Sequence, residues 1–153
     1  MGARRKSRET ALQFLYLVDV AKLSQEDARK ALFGGVRMQE RIRTFAEHLA
    51  TGALADAPQL DVLISKYAEN WEIRRMTAVD RNILRLAAFE LLHEVDTPVS
   101  VIIDEAVEIA KAFSTADSGK FVNGILDKIK LERKEEVVPA APLEPSDPKP
   151  QAS

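Results

Sequence analysis

Apolar residues recur every three to four positions through most of this chain, and that spacing predicts helices. The first runs from about Lys6 to Lys22, with Ala11, Phe14, Val18 and Ala21 as its core stripe. Ser24 is a good N-cap with Asp27 three residues on, so a short helix should follow to about Leu32 and end at the Phe33-Gly34-Gly35 turn. A longer helix is expected over about Val36 to Ala50, carrying Ile42, Phe45, Ala46 and Leu49 inward and stopped by Thr51-Gly52. Asp56-Ala57-Pro58 opens another, with Leu60, Leu63, Ile64 and Tyr67 on its apolar face.

The segment TAVDRNILRLAAFELLHEV is apolar on most sides, as a central helix packed all round should be. Asp96-Thr97-Pro98 is the next start. VSVII is β-branched enough for a strand, yet Ile102, Ala106, Ile109, Ala110 and Phe113 continue a helical period. The last helix opens near Asp117-Ser118 and should bury Val122, Ile125, Leu126 and Ile129. The expected fold is all-α, about seven helices in two small packed bundles that share the central helix. Residues 1–134 form one helical domain. From 135 to 153 the chain carries five of its seven prolines and no periodic face, which predicts a disordered tail.

Composition narrows function mainly by what it removes. There are no cysteines, so disulfides, thiolate metal sites and Cys nucleophiles are out, and a reducing cytoplasm fits. No apolar run reaches membrane-spanning length. His48 and His93 sit on separate helices without a metal-ligand pattern around either, and no hydrolase, metalloprotease or dinucleotide motif is present. Ser118-Gly119-Lys120 superficially resembles a phosphate loop, but Phe121 stands where Ser or Thr is needed. No catalytic residues, metal or cofactor are expected. The net charge of −2 gives no general affinity for polyanions, so a nucleic-acid site must be a local patch.

Three features rise above a plain helical domain. Arg4, Arg5, Lys6 and Arg8 crowd a helix N-terminus, where the helix dipole disfavours cations. A helical wheel puts Arg5, Arg8, Leu12, Tyr16 and Asp19 on one face, away from the core stripe. Either the charges are simply solvated at a frayed terminus, or phosphates arrive from outside to neutralise them. At the start of the last helix, Phe121 lies about 100° from the buried stripe by the helical period, beside Gly124 and between Lys120 and Lys128. It is either ordinary core or a platform on which an unpaired base stacks. Between Leu86 and Ala110 there are six acids (Glu90, Glu94, Asp96, Asp104, Glu105 and Glu108) and no Lys or Arg. They either suit the helix dipole or form a surface for a basic protein.

Four segments, ARRKSRETALQFLY, DRNILRLAAFELL, DTPVSVIIDEAVEIAKAF and DSGKFVNGILDKI, occur in the order and spacing of the bacterial NusB family of transcription antitermination factors, which this chain resembles from about Ala3 to Ile129. The resemblance implies a non-enzymatic, cytoplasmic RNA-binding protein. It would bind the single-stranded boxA element of ribosomal RNA leaders together with the ribosomal protein NusE. The pair would join NusA, NusG and RNA polymerase in a termination-resistant complex. By position, the RNA contacts would be Arg4, Arg5, Lys6, Arg8, Tyr16, Asp117, Ser118, Lys120, Phe121 and Asn123. The NusE-facing region would lie around Glu72, Arg74 and Asp80, and the acidic window adds Glu105 and Glu108 as partner-binding residues. The resemblance also allows a homodimer, and one that hid the Arg-rich face would lower apparent RNA affinity. The rival reading is a helical protein–protein adaptor with no RNA site. Convergence of Arg5, Arg8, Tyr16 and Phe121 on one surface separates the two.

Overall fold

Seven α-helices follow one another in the computed structural model, which describes residues 2–35 and 37–133. They are α1 (Ala3–Asp19), α2 (Gln25–Phe33), α3 (Glu40–Ala55), α4 (Ala57–Ala68), α5 (Ala78–His93), α6 (Val99–Phe113) and α7 (Ala116–Ile129), with single 3-10 turns at Ile73–Arg75 and Lys130–Glu132. None is long and apolar enough to cross a membrane. The tail expected from 135 onward lies outside the described residues.

α5 is the shared element. It packs against α1 and α3 on one side and against α4, α6 and α7 on the other, so two small bundles meet along it. Its sequence explains this position: Ile83, Leu84, Leu86, Ala87, Ala88, Phe89 and Leu91 are all buried and surround the helix. Three polar residues are buried on it as well, Asp80, Asn82 and Glu90. Buried polar groups need partners, and these partners tie α5 to its neighbours. Asn82 donates its Nδ2 to Asp19 of α1 at 3.0 Å and to the Ala78 carbonyl at 2.9 Å.

Several boundaries and faces differ from the sequence expectation. α1 starts earlier and ends at Asp19, because Lys22 takes a left-handed φ of 62° and closes the turn into α2. Ala21 is therefore exposed rather than core. α3 starts at Glu40, and Val36 lies outside the described residues. Gly52 does not stop α3. It sits inside the helix because a Cβ there would come within 2.2 Å of the Phe89 ring on α5. The glycine makes room for a close helix crossing, and the chain stays helical to Ala55. Phe113 is largely exposed at the end of α6. The stripe on α7 is as expected: Val122, Ile125, Leu126 and Ile129 are all buried.

The buried face of α1 is wider than the expected stripe. Leu12 and Leu15 join Ala11 and Phe14 in the core, and Ser7, Arg8 and Thr10 are buried beside them. Leu12 and Arg8 therefore do not lie on the solvent face with Arg5 and Tyr16.

Candidate nucleic-acid interface

The start of α1 has no side-chain cap on its N-cap Gly2 and no acid in its first turn. The one acid near these cations on α1 itself is Glu9, a turn beyond Arg5, whose charge adds only a minor stabilisation of that guanidinium against the helix dipole. The main compensation comes from elsewhere in the chain. Arg8 is 6% exposed and donates Nε and Nη2 to the two carboxylate oxygens of Glu90, both at 2.8 Å. Its Nη1 also lies 3.8 Å from Glu105. Burial weakens the charged form of Arg8, but the Glu90 hydrogen bonds and charge outweigh it and raise the pKa. Arg5 donates Nε and Nη2 to Glu105 of α6, the second bond at 2.8 Å. That hydrogen bonding holds the Glu105 carboxyl below its usual range, against a smaller opposing effect of burial.

The two acids thus answer two of the four cations, and Arg8 is removed from the solvent face on which the sequence reading placed it. A charged side chain reads as exposed from sequence; here its counter-ion is 82 residues away on a buried helix. Arg4 and Lys6 are exposed, the Arg4 guanidinium lying 3.8 Å over the ring of Phe45. Tyr16 is exposed about three turns further along.

The start of α7 makes a separate cleft of about 240 Å³, lined by Phe121, Trp71, Arg75, Asp80, Asp117 and Ser118 among others. Two helix N-termini meet there. Thr115 caps α7 by accepting the Ser118 N–H at 3.1 Å, and Thr77 caps α5 by accepting the Asp80 N–H at 3.1 Å. Ser118 is buried, and its hydroxyl bridges Asp80 at 3.3 Å and Ser114 at 2.9 Å. Burial pushes the Asp80 carboxyl up, opposed by the hydrogen bonds from Ser118 and Thr77. Its Oδ1 is buried without a hydrogen-bond partner among the described residues. Phe121 is half-buried, touching the core on one side and the cleft on the other. Asp117, Lys120, Asn123 and Gly124 are exposed, and nothing lies within 4 Å of where a Gly124 Cβ would be.

The expected RNA-contact set therefore falls into two groups. Arg8 pairs with Glu90 near the end of α5, while Ser118 pairs with Asp80 near its start, ten residues or about 15 Å away along the helix. Arg5, Tyr16 and Phe121 do not share one pocket, and Arg8 is inside the protein. The expected partner set divides in the same way. Glu72 and Arg74 form an exposed pair at 2.8 Å near Trp71, and Asp80 is a cleft floor. Glu105 is bound to Arg5, and Glu108 pairs with Lys111 at 3.1 Å. Glu90 leaves the acidic surface entirely, since it is only 2% exposed.

No helical period marks Trp71 in the sequence. It stands in the polar stretch AENWEIRRM, outside any periodic face. The signal available was an aromatic in a polar connection followed by two arginines, a pattern suited to stacking beside phosphates. Its ring meets Phe121 edge-on, centroids 5.7 Å apart at 72°. Among the described residues, no three His, Asp or Glu side chains gather so as to hold a metal ion.

Comparison with known proteins follows the same line. The NusB family matches residues 5–131. The transcription antitermination protein NusB of Elusimicrobium minutum is 47% identical over 137 residues, covering 88% of this chain and 97% of that protein. Its counterpart from Desulforapulum autotrophicum is 44% identical over 133 residues, covering 86% and 93%. Among solved structures, T. maritima NusB superposes with a TM-score of 0.78 at 39% identity, covering 85% of this chain and 92% of that one. A crystal structure of antitermination factors NusB and NusE in complex with dsRNA gives 0.76 at 26% identity, covering 85% and 97%.

Proposed function

The chain belongs to the NusB family of transcription antitermination factors, which are not enzymes, and from that premise we propose that it binds RNA through the cleft at the start of α7 and the exposed cations of α1. The ligand in this reading is a single-stranded boxA-like element of a ribosomal RNA leader, bound in the cytoplasm together with NusE. The assembled pair joins NusA, NusG and RNA polymerase. Phe121 takes the face of an unpaired base, Asp117 beside it and Asn123 further along α7 offer exposed hydrogen-bonding groups, and the buried Ser118, its hydroxyl on Asp80 and Ser114, shapes the cleft floor. Lys120, Arg4 and Lys6 meet phosphates, and Tyr16 is exposed further along α1. Arg8 drops out of the contact set, because its donors are spent on Glu90. For NusE we keep the exposed pair Glu72 and Arg74 as the facing region; we remove Asp80, the buried floor of the RNA cleft, and Glu105, whose carboxylate Arg5 occupies.

The observation that carries this reading is Phe121: a ring left half-open at a helix start, next to the empty space at Gly124 and an exposed Lys120. Half-exposure alone is common for a ring; what singles out Phe121 is the open space and the cation beside it. The adaptor reading without RNA gains from the same structure, since Arg5, Tyr16 and Phe121 do not share one pocket, Arg8 is buried, and the internal pairs of Arg5 and Arg8 leave the α1 patch less cationic than its sequence. A titration separates them. Labelled single-stranded boxA-like RNA, its duplex and a scrambled strand are titrated with the protein, alone and with NusE, at concentrations where sedimentation shows a monomer. Phe121→Ala should weaken single-strand binding by about 1–3 kcal/mol, the worth of one base–aromatic stack, and Phe121→Tyr should retain most of it. A Phe121→Ala protein that melts far lower, yet binds RNA like the parent when folded, would return the residue to the core.

A further inference from the structure

Exposed aromatic rings are common singly and mean little alone. Trp71 differs because the chain holds it in place. The connection after α4 turns at Glu69, which takes a left-handed φ of 55°, uncommon outside glycine. The Trp71 N–H then donates to the Ala68 carbonyl at 3.2 Å, and a 3-10 turn follows at once. The indole leans edge-on against Phe121 and stays 53% exposed.

Two clefts open on this one ring. The smaller is the Phe121 cleft. The larger, about 610 Å³, lies between Trp71 and the arginines Arg74, Arg81 and Arg85, within the range of nucleotide-sized sites. Its charges cancel in pairs. Arg81 binds Asp19 at 2.7 Å, Arg85 binds Asp61 at 2.8 Å, Arg74 binds Glu72 at 2.8 Å, and Glu69 is met by Lys128 at 3.2 Å. A neutral wall rich in donors and acceptors, beside an indole, suits an uncharged heterocycle with a hydrogen-bonding edge better than it suits a phosphate. Arg75 lines the smaller cleft and has no ion-pair partner among the described residues, so a backbone phosphate has a cation there.

We propose that Trp71 is a second base platform, so that neighbouring unpaired bases of one RNA strand stack on Phe121 and on Trp71, the latter base entering the larger cleft. This rests on the RNA reading above. The ring geometry adds a consequence. The two rings stand at 72°, so bases lying flat on each cannot also stack on one another. The strand must be splayed at this step. A base-paired duplex keeps its bases parallel and cannot occupy both rings, which makes the ring pair a selector for single strands.

Trp71 is the only tryptophan in the chain, so its emission reports on this site alone. Unlabelled single-stranded boxA-like RNA is titrated against intact protein while tryptophan emission is read. The same RNA, end-labelled, is followed by anisotropy with the parent, Trp71→Ala and Trp71→Phe. The proposal expects saturable quenching with the anisotropy midpoint, about a five- to 150-fold affinity loss for Trp71→Ala, near-parent affinity for Trp71→Phe, and no quenching by the annealed duplex. Quenching without the affinity loss, or the loss without quenching, overturns it. So does an emission change on adding NusE with none on adding RNA, which would make Trp71 a protein contact. If the parent shows no anisotropy change with RNA, the RNA reading itself fails; if the parent binds while both Trp71 readouts are silent, only this inference falls.

Discussion

Breaking the buried pair between Arg8 and Glu90 tests whether the cations of α1 serve the fold or the ligand. Both side chains are nearly sealed from solvent, at 7% and 3%, and two bonds of 2.8 Å join them. Glu90→Gln removes the charge while keeping the shape. Arg8 cannot escape by losing its proton, since guanidinium stays charged in proteins, and its pKa is raised further here. Removing one partner of a buried pair costs about 3–5 kcal/mol. The lower end applies, because Gln still offers one acceptor and Glu105 remains 3.8 Å from Nη1. At about 3 °C per kcal/mol for a chain of this size, the melting temperature should drop by about 10 °C.

The double change Arg8→Met with Glu90→Leu replaces the pair with apolar groups of similar length. It should melt near the parent or above it, because two desolvation penalties vanish with the attraction. That protein then answers the functional question cleanly. If Arg8 is structural, the slope of log K against log salt for RNA binding is unchanged. If Arg8 reaches a phosphate, the slope loses about 0.7. Thermal melts by circular dichroism and anisotropy titrations over a salt series give both numbers. A Glu90→Gln protein that melts within about 3 °C of the parent would refute the energetic reasoning. A flattened slope in the double variant would refute the assignment of Arg8 to the interior.

Glu105→Gln should release Arg5 and steepen the RNA salt slope by up to about 0.7, one added phosphate contact on a single strand; an unchanged slope would mean that Arg5 does not turn outward. Because Arg5 holds the folded-state pKa of Glu105 below its ordinary 4.5, the pair's contribution is full above that value and is lost as pH falls through the lower folded-state value, so urea denaturation of parent and variant should converge as pH falls below 4.5. Gly52→Ala should lower stability by about 1–3 kcal/mol through the clash with Phe89, although alanine is the better helix former by about 1 kcal/mol; a higher melting temperature would show that the ring moves aside freely.

What was legible in the sequence was whatever a single helix reveals about itself. The period of α7 marked its buried residues Val122, Ile125, Leu126 and Ile129 and left Phe121 at the flank, which is where the structure has it. The unbroken apolarity of α5 marked it as central. What could not be read were features decided by a residue far along the chain. Gly52 looks like a helix stop until Phe89 is set against it. Arg8 looks solvated until Glu90 is found, and Glu90 looks like part of an acidic surface for the same reason. Trp71 belongs to no period, and only the folded chain brings it against Phe121.

Those long-range pairings also change what the charge count means. Four cations at the start of α1 suggest four phosphate contacts. Arg8 is spent on Glu90 and Arg5 is shared with Glu105, which leaves Arg4 and Lys6 as the exposed pair there. Arg75, which lines the second cleft, and the exposed Lys120 next to Phe121 along α7 bring the exposed cations in the two groups back to four. At about −0.7 per contact on a single strand, the four together correspond to a salt slope near −2.8, half of it from each end of the interface. The cations crowding α1 therefore do two jobs at once: two bind the helix to its own protein, and the remaining two reach a polyanion in partnership with a cleft that the N-terminal sequence does not mention.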